Sequence, residues 1–194
     1  MTKQSMFEGK FKRRRECKTD YRKRLAMVKS GKPRLIARKT DRYIMAQVVN
    51  YFPKGDVVAA SANSRELEKF GWPFGKKNLS AAYLTGMLVA QRAKKKNISE
   101  AIFDLGLQAN AHGARIFAVL KGALDGGMKI PHDAEVIPKA ERISGKHIEN
   151  YAKAHPNSKQ QFSEYAKKKI SAENIPAAFE NAKRKITENG GEQK

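Results

Sequence analysis

The chain of 194 residues holds one cysteine, Cys17, and one tryptophan, Trp72. A lone cysteine excludes an internal disulfide framework and fits a reducing compartment. Its four histidines, His112, His132, His147 and His155, are dispersed, so no zinc-ligand spacing exists. No apolar run approaches the roughly 18 residues of a membrane helix. The N-terminus, MTKQSMFEGKFKRRR, is basic with no apolar segment behind it and does not read as a secretory signal. There is no nucleophile elbow and no Cys–His signature. Carboxylates are scarce too, with 19 Asp+Glu against 40 Lys+Arg and a net charge of +21. A two-metal nuclease needs several carboxylates converging on paired cations, and only Asp104 stands in a suitable strand. These absences leave no enzyme reading with a complete residue set and call for no cofactor. A cytosolic, folded, strongly basic protein remains, and the excess charge points to a polyanionic partner.

That charge is concentrated. Residues 1–45 carry a net of +12 and residues 46–194 a net of +9. Runs of like charge mark interaction arms. The run from Lys10 to Lys18 repels itself and has few apolar groups to offset the entropy of ordering. It defines a basic arm over residues 1–18, ahead of a core over 19–132 and a helical C-terminal extension over 133–194.

The pattern predicts a helix from a Thr19 cap to Gly31, with Tyr21, Leu25 and Val28 on one face. Strands at Arg34–Thr40 and Tyr43–Asn50 follow, joined at Asp41-Arg42 as an antiparallel hairpin. A third strand spans Val57–Ala62. Ser61–Lys77 reads as loop with a helical turn at Arg65–Phe70. The helix Leu79–Lys96 and a strand at Glu100–Gly106 make a crossover, which implies a parallel pair. A further amphipathic helix spans Ala114–Leu124. His147–Ala154, Gln161–Ile170 and Ile175–Ile186 read as helices, and Thr187–Lys194 has no apolar content to order it. The fold class is α/β, a mixed sheet of about four strands with helices packed on it, plus the arm and the extension.

The arm and first helix crowd Lys10, Lys12, Arg13, Arg14, Arg15, Lys18, Arg22 and Arg24 together, with Phe11 and Tyr21 among them. Cations neutralise phosphates and release counterions, and Arg and aromatic rings stack on splayed bases. The bland alternative is a solvated tail kept for solubility. Arg34, Ile36 and Arg38 alternate onto one strand face with Lys39 beside them. That face reads either as a basic edge turned to RNA or as an edge strand protected by charge. Trp72, Phe74, Lys76 and Lys77 sit in a Gly-rich loop, where the rings serve either base stacking or the core beneath. The loop GLQANAHGAR at 106–115 precedes a helix whose amides suit an anion, with His112 placed to touch phosphate or protein, but ordinary capping is the better reading. Lys167, Lys168, Lys169, Lys183, Arg184 and Lys185 read as a solvated face, with contact to rRNA or a neighbouring protein as the alternative.

Together these segments resemble a known family. FKRRRECKTDYRKRL at 11–25, KPRLIARKTDRYIMAQVV at 32–49, SANSRELEKFGW at 61–72 and AAYLTGMLVAQRA at 81–93 carry the resemblance. So do IFDLGL at 102–107, ARIFAVLKGALDGGMKIPH at 114–132, ERISGKHIENYA at 141–152 and the segment 162–186. The order and extent are similar to the archaeal form of the universal large-subunit ribosomal protein eighteen family, whose eukaryotic relative is called L-five. The resemblance implies a structural protein that binds 5S rRNA and helps seat it in the central protuberance. It implies contact with 23S-type rRNA and with the other 5S-binding protein, called L-five in bacteria. It turns Lys12, Arg13, Arg14, Arg15, Lys18, Thr19, Tyr21, Arg22, Arg24, Arg34, Arg38 and Lys39 toward RNA, together with the loop at Lys76 and Lys77. At 108–113, QANAHG replaces the Arg or Lys and Thr that relatives commonly carry before the glycine. Any RNA contact there is therefore weakened or made by His112.

Overall fold

The computed structural model describes residues 9–155 and 161–189. The expectations for residues 1–8 of the arm and 190–194 of the tail lie outside the described residues.

β1 (Arg34–Lys39), β2 (Ile44–Asn50) and β3 (Val57–Asn63) form an antiparallel meander. Thr40 N–H donates to the Tyr43 carbonyl at 2.8 Å and closes the first turn. A crossover through α3 (Leu79–Lys95) returns the chain to β4 (Ile102–Asp104), which pairs parallel with β1. The order is β3-β2-β1-β4. β1 is therefore an interior strand. This corrects both edge readings of Arg34 and Arg38, because β4 occupies the side those readings left open.

Alternation decides which strand face is covered. Leu35, Ala37, Ala46, Val48, Ala60 and Ala62 are almost fully buried beneath α3 and α4 (Arg115–Asp125). Four of these six are alanines, which lets the helices approach closely. The helices touch each other through glycine. A Cβ on Gly86 would lie 2.0 Å from the Val119 carbonyl oxygen, and one on Gly122 would lie 2.0 Å from that of Tyr83. Glu66 and the Asn63 side chain cap the 3-10 turn Ser64–Phe70 at the N-terminal side of α3. Arg92, 6% exposed, reaches back to Glu66 and to the Ser61 carbonyl, at 2.6 Å each. It is a buried tie, whereas the sequence pattern gives it only a favourable sign at a helix end.

The extension adds α5 (Ala140–Ser144), α6 (Lys146–Ala154), α7 (Ser163–Lys167) and α8 (Ile175–Asn189). α8 packs on α3 and buries Ile175, Phe179, Ala182 and Ile186 in the same core. It continues to Asn189, beyond the predicted end at Ile186. The predicted helix Gln161–Ile170 shrinks to α7, because Lys169 turns to φ 54° and the Lys167–Lys169 run repels itself.

Candidate nucleic-acid interface

Lys12–Arg15 forms one helical turn, α1, and every residue from Lys10 to Lys18 is exposed. Phe11 and Tyr21 rings lie 5.2 Å apart and join this turn to α2 (Tyr21–Lys29). Asp20 caps α2, accepting from the Arg22 and Lys23 amides. The predicted Thr19 cap is thus displaced by one residue, since a carboxylate competes better for those donors. Thr19 instead accepts from Arg13 Nε at 2.9 Å. α2 buries no residue, and Leu25 is 56% exposed. The predicted apolar face of this helix therefore meets no core.

α2 stands over the uncovered face of the sheet. Between them lies a cleft of about 280 Å³, to which Lys23, Arg24 and Met27 contribute from the helix and Arg34, Ile36, Arg38 and Gln47 from the strands. Its floor is an ion-pair network. Arg34, 2% exposed, places one terminal nitrogen 2.6 Å from Asp56 and the other 3.0 Å from Asp104. Arg24 reaches the second oxygen of Asp56 at 2.9 Å and so ties α2 to the body. Arg38 donates to the Asp104 carboxylate at 3.2 Å and to its carbonyl at 2.8 Å. Asp104 also accepts from the Gly106 amide at 2.7 Å. Arg22 and Lys39 are exposed.

Twelve of the fifteen sites expected from sequence divide into three groups, and Thr19, Tyr21 and Lys39 stand outside them. Lys10, Lys12, Arg13, Arg14, Arg15, Lys18 and Arg22 present exposed charge around α1 and α2. Arg24, Arg34 and Arg38 converge on Asp56 and Asp104. Lys76 and Lys77 stand apart from that cleft, in the loop before α3. Lys76 pairs with Glu68, which holds that carboxyl below the usual range, and lies 5.6 Å from the centre of the Tyr43 ring. Lys77 donates to the Asp41 carbonyl at 3.0 Å. The neighbouring aromatics serve the core, since Trp72 is 0% and Phe74 2% exposed, and Trp72 Nε1 donates to the Gly75 carbonyl.

Asp104 is engaged by two arginines, and no group of three His, Cys, Asp or Glu fit to hold a metal occurs among the described residues. In the loop 108–113, Gln108 Nε2 donates to the Ala37 carbonyl and His112 is exposed. Sequence reasoning missed Asp56, because one acid in a turn carries no periodic signal. It also missed Arg42 and Arg115 as site residues. Both share a groove with Lys76, Lys77 and, from the extension, Lys168.

The family described as "Ribosomal large subunit proteins 60S L5, and 50S L18" matches residues 5–100 and 94–133. Large ribosomal subunit protein uL18 of Korarchaeum cryptofilum (strain OPF8) is 46% identical over 190 residues, covering 96% of this chain and 97% of that protein. The protein of the same name from Methanococcus maripaludis is 47% identical over 190 residues, covering 96% and 98%. Those are structural proteins of the ribosome and not enzymes. By a match over most of its length and by identity nearly end to end, the chain belongs to the family of large-subunit ribosomal proteins 60S L5 and 50S L18.

Proposed function

We propose that this structural protein of the large ribosomal subunit binds 5S rRNA and helps seat it in the central protuberance. The observation that carries the reading is the exposed cation cluster of α1 and α2, standing over a sheet face that no core helix covers. Phosphate contacts from such side chains fix position and supply salt-dependent affinity. Lys10, Lys12, Arg13, Arg14, Arg15, Lys18 and Arg22 supply those contacts. Tyr21 and the guanidinium planes of Arg24 and Arg38 add stacking on unpaired bases. Arg34 acts through its neighbours, because its terminal nitrogens are spent on Asp56 and Asp104. The arm takes its final form on the RNA. Lys39, Lys76 and Lys77 extend the contact along the body, Thr19 contributes its hydroxyl near Arg13, and 23S-type rRNA and the bacterial L-five type protein are the neighbours.

Hydroxyl-radical footprinting of 5S rRNA tests the proposal. It predicts one contiguous protected region with purified protein at near-physiological salt. Protection scattered over the whole RNA, or equal protection of a tRNA, would instead mark a general RNA-binding protein or RNA chaperone.

A further inference from the structure

We propose that the apolar tip of the β2–β3 hairpin is a docking surface for another protein of the large subunit, which lays a short, uncharged, apolar segment of its chain against it. This face goes beyond RNA binding and needs only that the chain sits in the large subunit. Tyr51, Phe52, Val57 and Val58 fall within eight residues. Each is between 48% and 52% exposed. Asn50 is in register with Val57, so both arms of the hairpin contribute to one patch. Clustered exposed apolar groups mark an interaction site, whereas scattered ones do not.

Charge identifies the occupant. Residues 43–64 hold one cation, Lys54, and one acid, Asp56, in a chain of net charge +21. Arg24 reaches the tip from α2 but is neutralised there by Asp56 at 2.9 Å. Phosphate contact needs cations free to neutralise it, so this is the wrong composition for an RNA face. A second copy of this chain would bring a further +21 and repel the first. An apolar segment of another protein meets neither penalty. The centres of protein interfaces are poor in charge and rich in Tyr and Phe, with polar groups such as Lys54 and Asp56 at the rim.

The main chain fits the same partner. β3 lies at one edge of the sheet. Val57–Asn63 has neither a charge nor a proline to blunt that edge. Its far half is closed from within, because Arg92 donates to the Ser61 carbonyl at 2.6 Å and the Asn63 amide donates to Glu66 at 2.9 Å. Among the described residues no side chain caps the main chain at 57–59 in this way. The register shifts between Val48 and Val49, so Ala59 has no opposite residue on β2. Such a bulge limits pairing along the edge, which is why the added segment is short.

The tip is also held ready. The Gly55 amide donates to the Phe52 carbonyl at 3.0 Å and closes the turn. Beneath it, Asp56 binds the buried Arg34 at 2.6 Å. A surface fixed before docking loses less entropy on binding.

Photocrosslinking in assembled subunits tests the proposal. Full-length protein with benzoylphenylalanine in place of Phe52 is built into large subunits and irradiated. The expected adduct survives ribonuclease, is lost to protease, and maps to one apolar, uncharged segment of another large-subunit protein. An adduct to rRNA, an adduct to a second copy of this chain, or the lack of any protein adduct would overturn the proposal. The same probe in place of Arg22 should reach rRNA. Its failure to do so would count against RNA binding and not against the hairpin tip. The variant Tyr51→Ser/Phe52→Ser keeps the net charge, and both positions are exposed. Mixed equally with wild type during subunit reconstitution, it should be several-fold under-represented in finished subunits, with unchanged affinity for free 5S rRNA. Equal incorporation, or a matching loss of RNA affinity, would contradict a protein partner.

Discussion

Arg34 and Asp104 meet across the parallel β1–β4 pair, guanidinium to carboxylate at 3.0 Å, with 2% and 5% of each residue exposed. Asp104 is in register with Ile36, one step along the same open face of the sheet. The pair therefore ties β1, the first strand of the meander, to the crossover strand β4 beneath the cleft under α2. A charge buried this deeply holds only while its partners stay in place.

Removing one partner should then cost far more than removing an exposed pair. Arg34→Ala leaves Asp104 with Arg38 as its one remaining ion-pair partner among the described residues and should destabilise the fold by about 3–5 kcal/mol in urea denaturation. Lys32→Ala removes the exposed Lys32–Glu100 pair, 2.9 Å long, and should leave the midpoint unchanged. Equal effects would show that burial of the Arg34 pair carries no energetic weight.

Asp56 joins Arg24 of α2 to Arg34 of β1. Because α2 buries no side chain, this carboxylate is its main polar tether to the body. In Asp56→Asn, amide hydrogen exchange over residues 21–29 should quicken, while the amides of α3 keep their protection. Unchanged exchange in α2 would mean that something else holds it.

The crossing of α3 and α4 depends on two hydrogen atoms where side chains would otherwise stand. Gly86→Ala and Gly122→Ala each press a methyl group into a main-chain carbonyl. Each should cost at least roughly 2 kcal/mol in thermal unfolding, since backbone yields less readily than a side chain. A neutral substitution at either site would contradict the close helix approach.

Tyr83 links this same region to pH. Burial raises its phenol well above the ordinary value near 10, and a 2.8 Å hydrogen bond to Asp125 adds to the shift. The folded state then keeps a proton that the unfolded state has lost, so stability falls as pH rises past about 10. Wild type should be more stable than Tyr83→Phe below pH 10, and that advantage should shrink in urea melts at higher pH. An advantage that grew with pH would reverse the sign and refute the assignment.

The sheet was largely legible because alternation is a local signal. Leu35 and Ala37 against Arg34, Ile36 and Arg38 identify both strand faces from five residues. The crossover to β4 was legible from helix length alone. What stayed hidden depends on contacts distant in sequence. The burial of Arg34 needs Asp56 and Asp104, which are 22 and 70 residues away. The cap of α2 fell between two adjacent capping residues, Thr19 and Asp20, and a periodic pattern cannot choose between them. Leu25 marked a helix correctly but a core face wrongly, because amphipathicity does not say whether a partner surface belongs to the same chain. The groove combined a turn arginine, a helix-start arginine and one lysine of a run, which share no motif.

The most direct test of the account is a competition titration of labelled 5S rRNA with tRNA, for full-length protein and a variant lacking residues 1–18, across a salt series. The account predicts strong preference for 5S rRNA at full length, and a loss of both affinity and salt slope on truncation. Equal competition by tRNA, with the same salt slope in both proteins, would contradict it.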